Sequence, residues 1–181
     1  MRDSRFDCLF ESVAIGPVTA KNRFYQVPHC NGMGHAMPNS VAAMRGVKAE
    51  GGWAVVSTEE CDIHASTDVL PYPEARLWDA EDGRRMALMV DAVHAQGALA
   101  AVELVHNGHA VSNRYSRLPV MGVSDLPVAA LEPSQACAMT RRDISDVRRW
   151  HRKAALRARD IGFDIVYVYA GHDLTLGMHF L

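Results

Sequence analysis

"VPHCNGMG", residues 27–34, sets a histidine and a cysteine directly after an apolar stretch and follows them with two glycines. Its reading decides between two folds. In a dinucleotide-binding fold the turn after the first strand reads G-x-G-x-x-G, because glycines let the backbone approach a pyrophosphate. Gly32 and Gly34 fill the first two places, but position 37 is Met. The fingerprint fails. Cys30 is left with four readings: a buried thiol, a metal ligand, a nucleophile, or an attachment point for a bound group. A metal set of His29, Cys30, Cys61 and His64 follows no usual ligand spacing, so no metal site is expected.

Outward from this segment, strands and helices alternate. "KNRFYQVP" gives a short strand over 21–27, stopped by Pro28. Ser40 is placed to cap a helix that carries Val41, Met44 and Val47 on one face and ends at Gly51-Gly52. "WAVVST" (53–58) is a second strand, and Asp82 is placed to cap a helix with Met86, Val90 and Val93 on its buried stripe. "ALAAVELV" (98–105) is a third strand, followed by a polar loop of about 35 residues. Thr140 and Asp143 form a capping signature, and "DIVYVYA" (164–170) is the fourth strand. Near-continuous apolar strands separated by helices mean a parallel sheet covered by helices. The expected class is therefore α/β. The two candidate architectures are an open doubly wound sheet and a (β/α)8 TIM barrel.

Composition narrows the function classes. The chain has 181 residues, 49% hydrophobic and 22% charged, with a formal net charge of −2, which suits a globular protein with one sizeable core. Without a basic run there is no footprint for nucleic acid. No apolar stretch approaches the ~20 residues that span a bilayer. The N-terminal "MRDSRFDCLFESV" lacks the apolar run of a signal peptide. The expectations are a cytoplasmic protein with no nucleic-acid or membrane partner. The four cysteines, Cys8, Cys30, Cys61 and Cys137, form no CxxC pair, so neither a disulfide framework nor a structural zinc is expected.

The ionisable residues collect at strand ends. Strand one ends at Pro28, His29 and Cys30, and strand two at Thr58, Glu59 and Glu60. Strand three holds Glu103 with His106 and Asn107 beyond it, and strand four ends at Tyr169, Gly171 and His172. Singly, Glu59 reads as a loop cap and His172 as a satisfied histidine. Together they mark the C-terminal edge, where parallel α/β folds bind ligands.

"NRFYQVPHC", "KAEGGWAVVSTEEC", "AVELVHNG" and "IGFDIVYVYAGH" resemble the Old Yellow Enzyme superfamily of flavin-dependent barrels, and "VPHCNGMG" with "YVYAGHDL" is similar to its trimethylamine dehydrogenase-like branch. Within that branch the sequence looks most like demethylases of N-methylated amino acids such as dimethylglycine or N-methylproline. The resemblance implies the N-terminal half of a (β/α)8 TIM barrel, about four βα units, with residues 1–181 as one partial flavin-binding domain of a longer enzyme. It implies FMN at the C-terminal mouth, contacted by Pro28, His29, Cys30 and Glu103, with Cys30 in the place of the cysteine that forms a thioether to flavin carbon 6. Tyr169 and His172 match the branch's active-site tyrosine and histidine. The implied reaction is oxidation of an N-methylated amine by hydride transfer to flavin N5, with an electron-acceptor protein or NAD(P) as partner and a homo-oligomer as assembly.

Two departures shape the expectation. Where trimethylamine-specific members place aromatics around a cationic amine, this sequence has Glu60 and Leu174. Glu60 is therefore expected to bind substrate, or else simply to pair with an arginine such as Arg76. The second departure is length: eight strands close such a barrel, and four are read here. The family's phosphate-binding arginines and the cysteines of a 4Fe-4S cluster lie in no part of this chain. The alternatives are an NADH:flavin oxidoreductase or ene-reductase on the same scaffold, which would not need Cys30, and a non-catalytic half-barrel module.

Overall fold

The computed structural model describes residues 3–69, 73–128, 134–172 and 175–181. A hairpin of β1 (Val13–Ile15) and β2 (Val18–Ala20) precedes the first parallel strand, β3 (Tyr25–Gln26). Then come α1 (Pro38–Glu50), β4 (Val55–Asp62), β5 (Ala75–Arg76), α2 (Ala80–His94) and β6 (Leu99–Val105). The long connection holds the two-residue strands β7 (Met121–Gly122) and β8 (Cys137–Ala138), and α3 (Arg141–Asp160) leads into β9 (Ile165–Val168). The main sheet runs β3-β4-β6-β9, all parallel, with β5 also paired to β4.

The two faces of the sheet do different work, because side chains alternate along a strand. Val56, Ala100, Val102 and Leu104 face the helices and join Val41, Met89, Val90, Val93, Ala154 and Ala158 in the main core. Val55 and Ala101 face the opposite way, where they meet Tyr25, Ile165, Tyr167 and the hairpin residues Val13, Ile15 and Ala20. The hairpin thus covers the inner face near the strands' N-terminal ends, leaving the C-terminal ends open. On β9 the outward Val166 and Val168 are 38% and 71% exposed. The apolar alternation continues there without a covering helix among the described residues.

The four expected parallel strands and three helices are present, with corrections at their ends. Strand one is two residues rather than seven. Pro28 lacks the N–H that would continue the ladder, and Gln26 turns its side chain back to the Ser57 N–H at 3.2 Å. Ser40 does not cap α1: the helix starts with Pro38 in its first turn after Met37, and no side chain caps it. Proline's fixed φ suits that position. Asp79, not Asp82, caps α2, accepting from the Glu81 and Asp82 N–H groups at 2.8 and 2.9 Å. Asp82 is buried and instead binds Arg76 at 2.8 Å. The Thr140–Asp143 capping box forms as expected.

Strand two runs on to Asp62, and this matters most for the site. Ser57 pairs with Ala101 and Glu60 with Glu103, so Thr58 and Glu59 stand opposite Val102 alone. That is a β-bulge. Thr58 Oγ1 accepts the Glu103 N–H at 3.2 Å within it. Regular alternation from Val55 would send Glu60 out toward the helices. The bulge reverses the phase and sets Glu60 beside Glu103 on the inner face.

Candidate active site

The Cys30 loop occupies a gap in the sheet. β3 leaves β4 after Gln26, β5 joins the far end of β4 at Cys61 and Asp62, and residues 27–36 lie between. Glu59 holds this loop from β4, its Oε2 accepting the Asn31 N–H at 3.0 Å. Asn31 Oδ1 accepts the Met33 N–H at 2.8 Å, and Gly32 and Gly34 take left-handed φ values of 73° and 43°. Gly34 is required sterically as well: a β-carbon there would lie 2.4 Å from the Pro73 carbonyl oxygen.

Arg45 supports the loop from below. Fully buried on α1, it donates to Gln26 Oε1 and to the His29 carbonyl, both at 3.0 Å. The His29 ring meets Gln26 and Arg45 through Nδ1 at 3.1 and 3.2 Å and Lys48 through Nε2 at 3.2 Å. Burial and these two cations lower the ring's pKa. His29 therefore faces α1, while the neighbouring Cys30 is exposed.

Around Cys30 the acids converge. Its sulfur and one oxygen each of Glu60 and Glu74 lie within 4.8 Å of one another. Glu60 also accepts from Asn107 at 3.5 Å. Its alternative partner is engaged elsewhere, since Arg76 binds Asp82. Tyr169 and His172 close the opposite side, joined by a hydrogen bond between the phenol and Nδ1. His172 holds a left-handed φ of 60°, a strained conformation for a non-glycine residue and one common at functional sites. Burial and the charges of Glu103, Glu60 and Cys30 push the Tyr169 phenol up to about 12, so it stays a proton donor. Leu174 lies outside the described residues.

Sequence reasoning singled out Cys30, Glu60, Glu103, Tyr169 and His172, and the structure gathers these at one edge. It missed Glu74 and Arg45. Arg45 had a signal: it follows Val41 by four residues, so a charge sits on the buried stripe of α1. Glu74 had none, because its position depends on β5. His106, read as a strand-end residue, is structural: buried, it meets Ser66 Oγ at 3.0 Å, and burial lowers its pKa to about 3.

Burial raises the carboxyls of Glu59 and Glu103 to about 7 and, with Glu59 nearby, that of Glu74 to about 8. Each ordinarily titrates near 4.5. A raised acid stabilises the fold when protonated, and that contribution is lost as pH rises through its folded value. The lowered histidines act in the opposite direction, but only below their ordinary 6.5. Between pH ~6.5 and ~8 the acids dominate. The melting temperature of the flavin-free protein is expected to fall across this window, and Glu74→Gln to flatten the fall. Thermal melts at half-unit pH steps test this, and a constant or rising Tm in wild type contradicts it.

Among the described residues, Glu59 Oε1, Glu74 Oε2 and Asn107 Oδ1 are buried without a hydrogen-bond partner. Buried polar atoms rarely stay so unless a bound group or water completes them. Against this geometry, the sequence pattern of the NADH:flavin oxidoreductase / NADH oxidase family matches residues 8–178. The chain belongs to that family. Family membership brings a flavin, FMN, as the bound group, and the rim fits one: an exposed Cys30, unpaired acceptors on Glu59 and Asn107 for ring N–H groups, and Tyr169 across the opening. Dimethylamine dehydrogenase of Hyphomicrobium sp. (strain x) is 45% identical over 94% of this chain and 24% of its own length. Histamine dehydrogenase from Rhizobium sp. 4-9 superposes with a TM-score of 0.96 at 43% identity, covering 99% of this chain and 28% of that one. The 6-hydroxypseudooxynicotine amine oxidase of Pseudomonas geniculata N1 gives 0.97 at 46%, covering 100% and 27%. The chain thus spans about a quarter of the length of these family members. Its similar relatives fall in the amine-oxidising branch that the motifs indicated, and the partial α/β barrel agrees with that reading.

Proposed function

We propose that the chain is the opening part of one flavin-binding barrel in an FMN-dependent amine dehydrogenase, acting on N-methylated amines or amino acids. The observation that supports this best is the exposed Cys30 at the open edge, facing Glu60 and Tyr169, in a chain whose amine-oxidising relatives are 43–46% identical. FMN, when bound, supplies the hydride acceptor at N5, and the substrate iminium then hydrolyses to formaldehyde and the demethylated amine. Cys30 would tether the ring by a thioether, while Pro28 and the Arg45-braced His29 hold the loop that presents it. Glu103, raised to about 7 by burial and by Glu60, can donate to or accept from the ring edge near neutral pH. Glu60 offers a directed partner to an ammonium N–H. Tyr169 and His172 hold a proton between them at the substrate nitrogen. An iron–sulfur cluster and the site of the electron acceptor would both lie outside this chain.

In the full-length protein, acid denaturation is expected to leave the pellet yellow, with the intact mass raised by one flavin. Cys30→Ala is expected to release all of the flavin to the supernatant while the protein still folds. A fully loaded wild type whose denatured chain carries no added mass would sink the covalent reading.

A further inference from the structure

Glu74 leads into β5, is 7% exposed, and brings a carboxyl oxygen within 4.8 Å of the Cys30 sulfur. Its backbone is locked to the same loop. The His35 N–H donates to the Glu74 carbonyl at 3.0 Å, His35 Nδ1 lies 3.0 Å from that oxygen, and a β-carbon on Gly34 would sit 2.5 Å from it. The loop cannot slide without carrying Glu74 with it. The acid's Oε2 is buried without a partner among the described residues, so the carboxyl serves no structural ion pair on that side. Its neighbours are otherwise committed: Glu59 to the Asn31 N–H, Glu60 to Asn107, and the His29 ring to α1.

We propose that Glu74 takes the proton of the Cys30 thiol when the thioether to the flavin forms; this rests on the covalent-flavin reading above. The S–H bond breaks and its proton passes to the Glu74 carboxylate. The sulfur electron pair forms the bond to ring carbon 6, whose own hydrogen leaves as a proton. The ring keeps two electrons and takes up two protons, one returned by Glu74, and is left reduced. Dissolved dioxygen reoxidises it, giving hydrogen peroxide and the oxidised thioether. Burial raises the acid to about 8 and, with the charge of Glu74, lifts the thiol above its ordinary value, so the carboxylate is a stronger base than an exposed one.

The test uses full-length apoprotein, incubated aerobically with FMN and followed by intact mass. Glu74→Gln is expected to slow adduct formation at least tenfold, while reversible FMN binding, read by flavin fluorescence quenching, changes less than threefold. Glu74→Asp, with a shorter reach, is expected to restore an intermediate rate. Adduct formation at the wild-type rate in Glu74→Gln overturns the proposal and leaves the covalent reading intact. A wild type that never forms adduct overturns both.

Discussion

Gly34→Ala is expected to destabilise the protein by roughly 3 kcal/mol or more and to cost most of its flavin loading. Two effects add at this position. A left-handed φ of 43° strains any β-carbon, and that carbon would lie 2.4 Å from the Pro73 oxygen and 2.5 Å from the Glu74 oxygen. Both obstacles are backbone, so no side chain can swing aside. The segments that must part are the Cys30 loop and the lead into β5, which places the damage at the candidate site. Gly32→Ala is the internal comparison. It shares the left-handed φ, at 73°, but has nothing within 4 Å, so only strain of about 1 kcal/mol is expected. Chemical denaturation of both variants, with flavin content measured beside it, tests the contrast. Equal costs for the two would show that the close approach does not exist.

Glu60→Gln is expected to lower kcat/KM for an N-methylated amino acid about tenfold or more, equivalent to ~1.4 kcal/mol of transition-state binding. A carboxylate facing an ammonium N–H makes a charge-assisted hydrogen bond of about 1.5–3 kcal/mol, and the amide keeps only its neutral part. Stability should move differently. Glu60 is raised by burial and stands opposite Glu103 in the ladder, so removing its charge should leave the melting temperature unchanged or higher. Lower kcat/KM without lost stability distinguishes a substrate ligand from a structural acid. Wild-type kcat/KM across a panel of N-methylated amines would remove Glu60 from the substrate site.

Much of the architecture was legible because its signals are local. Apolar runs at 53–58, 98–105 and 164–170 with amphipathic helices between them specify a parallel layered fold, and the Thr140–Asp143 box marks the start of α3 by two side-chain-to-backbone bonds. The helix starts that sequence reasoning misplaced had two candidates close together. Asp79 and Asp82 are both good caps, and the choice fell to Arg76, whose guanidinium holds Asp82 in the core.

The site divides in the same way. The sequence by itself determined which residue types arrive at the strand ends, since chain direction and strand length alone bring Cys30, Glu103, Tyr169 and His172 to the C-terminal edge. Only the tertiary structure decided which way they face. Glu60 looks inward because a bulge at Thr58 and Glu59 shifts the alternation by one residue, and a bulge is set by the partner strand's register rather than by its own residues. Glu74 reaches Cys30 although 44 positions separate them, because β5 fills the flank of β4 that β3 abandons. Those contacts are long-range pairings of backbone, and no local pattern of side chains encodes them.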